Sequence, residues 1–521
     1  MRNQKGSVLI ISLVFISALA VLGASFLKIS ITDAKNAQRQ MDQQRAFFLS
    51  EAGIQRASWL IKQDSGGSLK AYTSDPYLET FQLQGNGAAL NSLESENINI
   101  SILYTGNDIY QVGATAQVNG VTKTLSALNE RYSPGKVFDY AYFINNWGWF
   151  YASIITAYGD VRSNGRFDFK YGPTVNSEIY AGYEVGINGS IYGYGSQTEY
   201  QYPDSDGLEM PNLNDLSYYE NVATSKSGSI IINGLTLVNG VLGDDGGENE
   251  NLVLIGTVTD PIEINGTVVI RGDVIVSGYI TGQGTIYAGR NLYVPNNVIY
   301  VDGPATTKPT YPSGSPPDDS VIKTWVTDNK DKDLVGFAAT ENIVLGDYTK
   351  SSNQWIFNSY LYGMGDEDVG EDGIPGTSDT GEGDGVFTAQ YEDLDGDGVK
   401  DNNYTSATLQ TQVALSSFAN LPSGMINYAD IANNSETTLP DGNKIISGVY
   451  YTNHAMTGML EGSTNVRGSI ISKDEAIGIN AMLTLDYDWR MHSKYTTGQN
   501  KLIDVGLPFS KEIETLRWWE N

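Results

Sequence analysis

Between Ser7 and Leu27 the sequence SVLIISLVFISALAVLGASFL runs for 21 residues without a charge, with Arg2 and Lys5 ahead of it and Lys28 behind it. A run of about 20 apolar residues matches the hydrocarbon thickness of a bilayer when helical. The basic flank comes first, so the positive-inside rule holds residues 1–6 in the cytoplasm and sends everything after Lys28 outward. The expected product is a single-pass protein of the cytoplasmic membrane with its large C-terminal part outside.

A cleaved signal peptide is the competing reading, because Ala18-Leu19-Ala20 has the small-x-small form of a cleavage site. Against it, the helical pattern continues past the apolar run. Ala34, Ala37, Met41, Phe48, Ala52 and Trp59 recur at spacings of three, four and seven, and neither Gly nor Pro stands between Gly23 and Gly53. A single helix over residues 7–63 is predicted, roughly 85 Å long at 1.5 Å per residue. Its first half is apolar all round and its second half is amphipathic.

Lys5-Gly6-Ser7 ahead of the apolar run, together with Gln44-Arg45-Ala46-Phe47-Phe48-Leu49-Ser50-Glu51-Ala52-Gly53, resembles the PilX-type minor pilins and related type IV pilus assembly proteins. Their N-terminal region ends in an A-E-A-G-like box, matched here by Ser50 to Gly53. The resemblance covers about the first 60 residues. It implies a leader over residues 1–6, cleavage by a prepilin peptidase after Gly6, and Ser7 as a methylatable new N-terminus. It also implies pilin or pseudopilin subunits as partners and display at the cell surface after assembly. Major pilins carry a glutamate five residues into the mature chain, where this sequence has Ile11. That departure implies a special position, such as a tip or a rare insertion, rather than a bulk subunit. Glu51 reads as a structural charge on a helix face near Arg45 and Arg56, not as a catalytic acid.

Composition narrows what the rest can do. There are 32 Lys+Arg against 61 Asp+Glu, a net charge of −29, which argues against a nucleic-acid partner. Cysteine is absent, so disulfides, thiolate metal sites and Cys nucleophiles are excluded. The two histidines, His454 and His492, sit in no metal or triad motif and read as surface or hydrogen-bonding residues. P-loop, dinucleotide, H-E-x-x-H and G-x-S-x-G motifs are all missing.

The predicted fold class is α+β, mainly β: a long pilin-like helix followed by a large β-rich body. Residues 64–135 form a linker and a small β unit, with Ile98 to Ile102, Ile109 to Val118 and Val121 to Leu125 as strands and Asn119-Gly120 as a turn. Further on, Gly266, Gly272, Gly278 and Gly284 recur every six residues, and Val268, Val274, Ile280, Ile286 and Leu292 keep the same period. That period predicts a right-handed β-solenoid with inserted loops, three six-residue faces to a coil. Hairpins with Gly turns fit the same run and stay open as an alternative. The solenoid is expected over residues 136–303 and again over 446–521, with return strands over 304–445. Gly468 to Ser472, Leu485 to Arg490 and Leu516 to Glu520 resemble the ends of large PilX-related proteins with β-helical bodies.

Between Gly365 and Asp401 stand thirteen acidic residues and one base, Lys400. Within this insert (365–404), Asp393, Asp395, Asp397, Val399 and Asp401 follow the D-x-D-x-D-G spacing of calcium loops. In such a loop side-chain oxygens at positions 1, 3 and 5, a backbone carbonyl at 7 and a ligand at 9 wrap one Ca²⁺. Position 12, where a bidentate carboxylate closes such loops, is Tyr404, so another carboxylate must complete the shell. A merely solvated acidic loop is the alternative.

The expected function is that of a minor pilin-like component that contributes to pilus assembly or surface adhesion through a calcium-stabilised extracellular β-domain, with a surface or glycan ligand possible and no enzymatic turnover. Two other readings stay open: a minor pseudopilin of a type II secretion system, and a membrane-anchored carbohydrate-active enzyme on a β-helix.

Overall fold

The computed structural model describes residues 5–64, 68–82, 97–106, 109–131, 135–145, 147–232, 235–243, 251–305, 309, 319–360, 380–381, 384–388, 414–473, 477–496, 501–509 and 513–520. The chain divides into two compact units, Met1–Tyr132 with Lys511–Asn521, and Ser133–Ser510.

The first unit opens with α1 (Lys5–Gln63), a continuous helix of 59 residues. Behind it come β1 (Tyr77–Phe81), β2 (Ile98–Gly106), β3 (Ile109–Val118) and β4 (Val121–Glu130), paired antiparallel in that order. The Asn119-Gly120 turn joins β3 to β4 with both residues left-handed, at φ 48 and 81. Positive φ at both central residues is what a type I′ hairpin demands, and its twist matches that of the strands. Residues Glu514–Glu520 add a fifth strand, antiparallel to β4, rather than extending the second unit.

The C-terminal half of α1 lies on this sheet, and the face it buries is not the one the apolar spacing suggests. Ala46, Leu49, Ala57 and Ile61 are fully buried among Ile98, Ile100, Ile102, Val112 and Ala114. Met41, Phe48 and Trp59, which the periodicity assigns to the core, stand 48%, 61% and 49% exposed. Small residues decide the orientation. A Cβ on Gly53 would lie 2.6 Å from the Ala114 Cβ and 2.9 Å from the Ile98 Cγ2, so helix and sheet meet where no side chain intervenes. Ser50, fully buried, places its hydroxyl 2.9 Å from the Ala46 carbonyl and 3.0 Å from that of Lys123. The Ser50 to Gly53 box is thus a close-packing device between helix and sheet.

The second unit is built almost wholly of parallel pairs. Ile262–Ile270 lies beside Val274–Ala288 with Ile262 opposite Ile280 and Val268 opposite Ile286. From there the pairing passes to Leu334–Ala339, Lys444–Thr452, Met456–Ser472 and Ile477–Asp486. Val268, Val274, Ile280, Ile286 and Leu292 are fully buried, so the six-residue period marks inward positions. The next strand after Ile477–Asp486 comes from earlier in the chain. Ile155–Tyr158 pairs with it, and Tyr142–Ile144 pairs with residues 470–472. The first strands of this unit therefore sit against its last.

A polar ladder runs through the interior. The Asp273 N–H donates to Asn251 Oδ1 (2.8 Å), the Asn291 N–H to Asp273 Oδ1 (3.0 Å) and the Asn342 N–H to Asn291 Oδ1 (3.1 Å). His454 Nδ1 lies 2.8 Å from Asn342 Oδ1. Asn251, Asp273 and Asn291 each accept the backbone N–H of the next segment, so buried amides are paired where the chain changes direction. His454 is thus a buried hydrogen-bonding residue.

Candidate membrane and assembly surface

The N-terminal half of α1 packs against nothing described in its own unit. Apolar side chains from Leu9, 74% exposed, to Ile31, 49% exposed, stand out on every side. Within this helix lies the one segment, among the described residues, that is long and apolar enough to cross a membrane. A helix apolar all round belongs in a low-dielectric surrounding, because water gains nothing by solvating it.

Its few polar groups are handled locally. The hydroxyls of Ser12, Ser17 and Ser25 donate to the carbonyls of Leu9, Leu13 and Val21 at 2.9, 2.7 and 2.8 Å. Thr32 does the same to Lys28 at 2.8 Å, at the boundary where charge begins. Bonded back onto the helix, these hydroxyls ask nothing of their surroundings, which hydrocarbon could not supply. Ile11, 64% exposed, leaves the apolar surface unbroken. Gly6 and Ser7 fall in the first turns of α1.

Beyond Ile31 the large exposed apolar side chains of the helix narrow to Met41, Phe48 and Trp59. The Arg56 guanidinium lies 4.5 Å from the centre of the Trp59 ring and pairs with Glu79 at 3.0 Å. Glu51 is exposed, and its helical neighbour Arg56 is held by Glu79 instead. This outward strip escapes a reading based on amphipathic periodicity, which places these side chains inside. The signal that could have found the buried face is the run of small residues at Ala46, Ser50, Gly53 and Ala57.

The candidate calcium ligands Asp393, Asp395, Asp397, Val399 and Asp401 lie outside the described residues. Among the described residues no group of three or more His, Asp or Glu side chains is placed to hold a metal ion. His492 lies 3.4 Å from Asp139, which also accepts the Ser493 N–H at 2.6 Å and its hydroxyl at 2.8 Å. Burial raises the Asp139 carboxyl above its ordinary range despite the nearby imidazole and these hydrogen bonds.

No protein-family model matches this sequence, and no curated protein matches it. Among solved structures, the chain is similar to the competence-associated pilin ComZ from Thermus thermophilus at 8% identity, over 92% of this chain and 97% of that one. The TM-score is 0.25, a superposition too loose to carry a conclusion about fold or function.

Proposed function

We propose that this chain is a minor pilin-like subunit of a type IV pilus or related filament. The observation that carries the reading is α1 itself: an exposed, self-satisfied apolar rod from Leu9 to Ile31, continuous with a half that packs on its own sheet through Ser50 and Gly53. Such a rod can rest in a bilayer before assembly and among the stems of other subunits afterwards. The outward Met41, Phe48 and Trp59 extend the surface available to neighbouring stems. The chain acts by binding and packing rather than by turnover, and the second unit is displayed outside the cytoplasm.

Three finer points belong to the proposal. Prepilin peptidase cleaves between Gly6 and Ser7. The parallel ladders of the second unit are coils of a right-handed β-solenoid, a reading supported by the 18-residue step from Ile262 to Ile280 and by the strong right-handed bias of parallel crossovers. The acidic loop at Asp393 to Asp401 holds calcium.

The decisive experiment is N-terminal analysis of the protein recovered from its native membrane fraction. A chain beginning at N-methylated Ser7 is expected, and a start near Val21 would overturn the pilin reading. For the metal, millimolar calcium should raise the thermal midpoint of the purified protein, and Asp395→Ala with Asp397→Ala should remove most of the gain. A midpoint indifferent to calcium would remove the metal from the proposal. Both measurements need α1 retained to residue 63, since Ala46, Leu49, Ala57 and Ile61 are part of the first unit's core.

A further inference from the structure

A cleft of about 400 Å³ opens on the second unit. Its floor comes from three neighbouring parallel strands, in which Ser447, Arg467 and Asp486 lie opposite one another. Strands pair about 4.8 Å apart, so these residues form a row across the sheet. Asn465, two residues from Arg467, shares the outward face, while Val466 between them is buried. Tyr300 forms one wall, its hydroxyl fixed by accepting the Val335 N–H at 2.9 Å.

Two polar groups in this cleft have no partner among the described residues. Among the described residues Arg467 makes no hydrogen bond or ion pair, although Asp486 is its register neighbour. The Asn465 Oδ1 is buried and accepts no hydrogen bond. A neighbouring cation is already committed. Arg490, fully buried, donates to both carboxylate oxygens of Asp488 and to the carbonyls of Asn329, Lys332 and Asp333. Asp488 is therefore neutralised, and Arg467 is the unpaired cation among the described residues that line the cleft. In this open cleft the Arg467 guanidinium is the group left for a ligand to satisfy.

We infer that this cleft binds an acidic saccharide, a hexuronate unit whose carboxylate meets Arg467. The planar guanidinium fork matches a carboxylate in bidentate fashion, which a lone hydroxyl cannot reproduce. Ser447 and Asp486 supply further partners for ring hydroxyls, and the Tyr300 wall offers an apolar surface to the ring. With a net charge of −29 the protein repels a dense polyanion, so a ring bearing one carboxylate among several hydroxyls suits it better than a sulfated or phosphorylated chain. The inference stands on the cleft alone and holds whether or not the stem enters a filament.

The test is isothermal titration of the full-length protein in detergent, with chelator present so that calcium cannot bridge the ligand. The probes are a galacturonate tetramer and its neutral galactose counterpart. The uronate should bind at least tenfold more tightly. Arg467→Gln should abolish that preference at an unchanged thermal midpoint, and Arg467→Lys, which keeps the charge without the fork, should retain only part of it. Equal binding of the two tetramers, binding of neither, or a preference that survives Arg467→Gln would each overturn the assignment.

Discussion

Asp64 shows how much one side chain does where α1 stops. Its Oδ1 accepts the Ser68 N–H at 2.8 Å and the Ser68 hydroxyl at 2.6 Å, and its Oδ2 accepts the Leu69 N–H at 2.8 Å, capping the short turn that leaves the helix. Burial pushes the carboxyl upward, but these hydrogen bonds and the charge of Arg131 outweigh it and leave the group below its ordinary value. A depressed carboxyl contributes stability that is fully present above the unfolded value, near 4, and is lost as pH falls through the folded value. Asp64→Ala should cost about 1 kcal/mol at neutral pH, as other capping losses do. Denaturant unfolding at neutral pH and at pH 2 to 3 should show that difference shrink with acidification. A cost independent of pH would mean that the carboxylate charge plays no part. Asp273 has the opposite sense. Burial raises it in spite of Arg290, so its own contribution weakens as pH rises from the ordinary carboxylate range toward its folded value.

At the scale of elements, the extent of α1 was legible and its orientation was not. A charge-free run, the absence of Gly and Pro from residues 24–52 and the spacing of apolar residues bound the helix closely. Periodicity ranks positions by hydrophobicity, whereas the contact with the sheet is governed by how near two backbones come. Met41, Phe48 and Trp59 therefore lost the inward face to Ala46, Ser50, Gly53 and Ala57. The Asn119-Gly120 turn was readable because only a few residues tolerate its backbone angles. Gly53→Val tests the packing argument. With Ala114 and Ile98 under 3.0 Å from the new Cβ, the helix must lift from β2 and β3, at about 2–3 kcal/mol by the usual scale of overpacking. Thermal unfolding in detergent should record a clearly lowered midpoint. The same substitution at Gly23, where nothing lies within 4 Å of the added Cβ, should change it little.

For the molecule as a whole, the six-residue recurrence from Gly266 to Leu292 announced stacked parallel strands, because inward positions repeat with the chain's return. Which return lies against which could not be read the same way. A period describes each segment and is silent on its neighbour, and the segments at residues 155–158 and 477–486 carry no mark that pairs them. Arg467 was equally hidden, since its significance lies in having no partner among the described residues, and a sequence cannot display a missing contact.

That arrangement has a consequence for how the protein comes into being. The Ser469 hydroxyl bonds to the Tyr140 carbonyl, 329 residues away in sequence. A ribosome releases Tyr140 long before Ser469 exists, so Tyr142–Ile144 must wait, with its pairing edge uncovered, until the far end of the chain arrives. Contacts of such sequence separation close slowly, and open strand edges invite mispairing meanwhile. Completion and folding of the second unit are thereby coupled: a chain cut short before residue 470 lacks the seat on which Tyr142–Ile144 pairs.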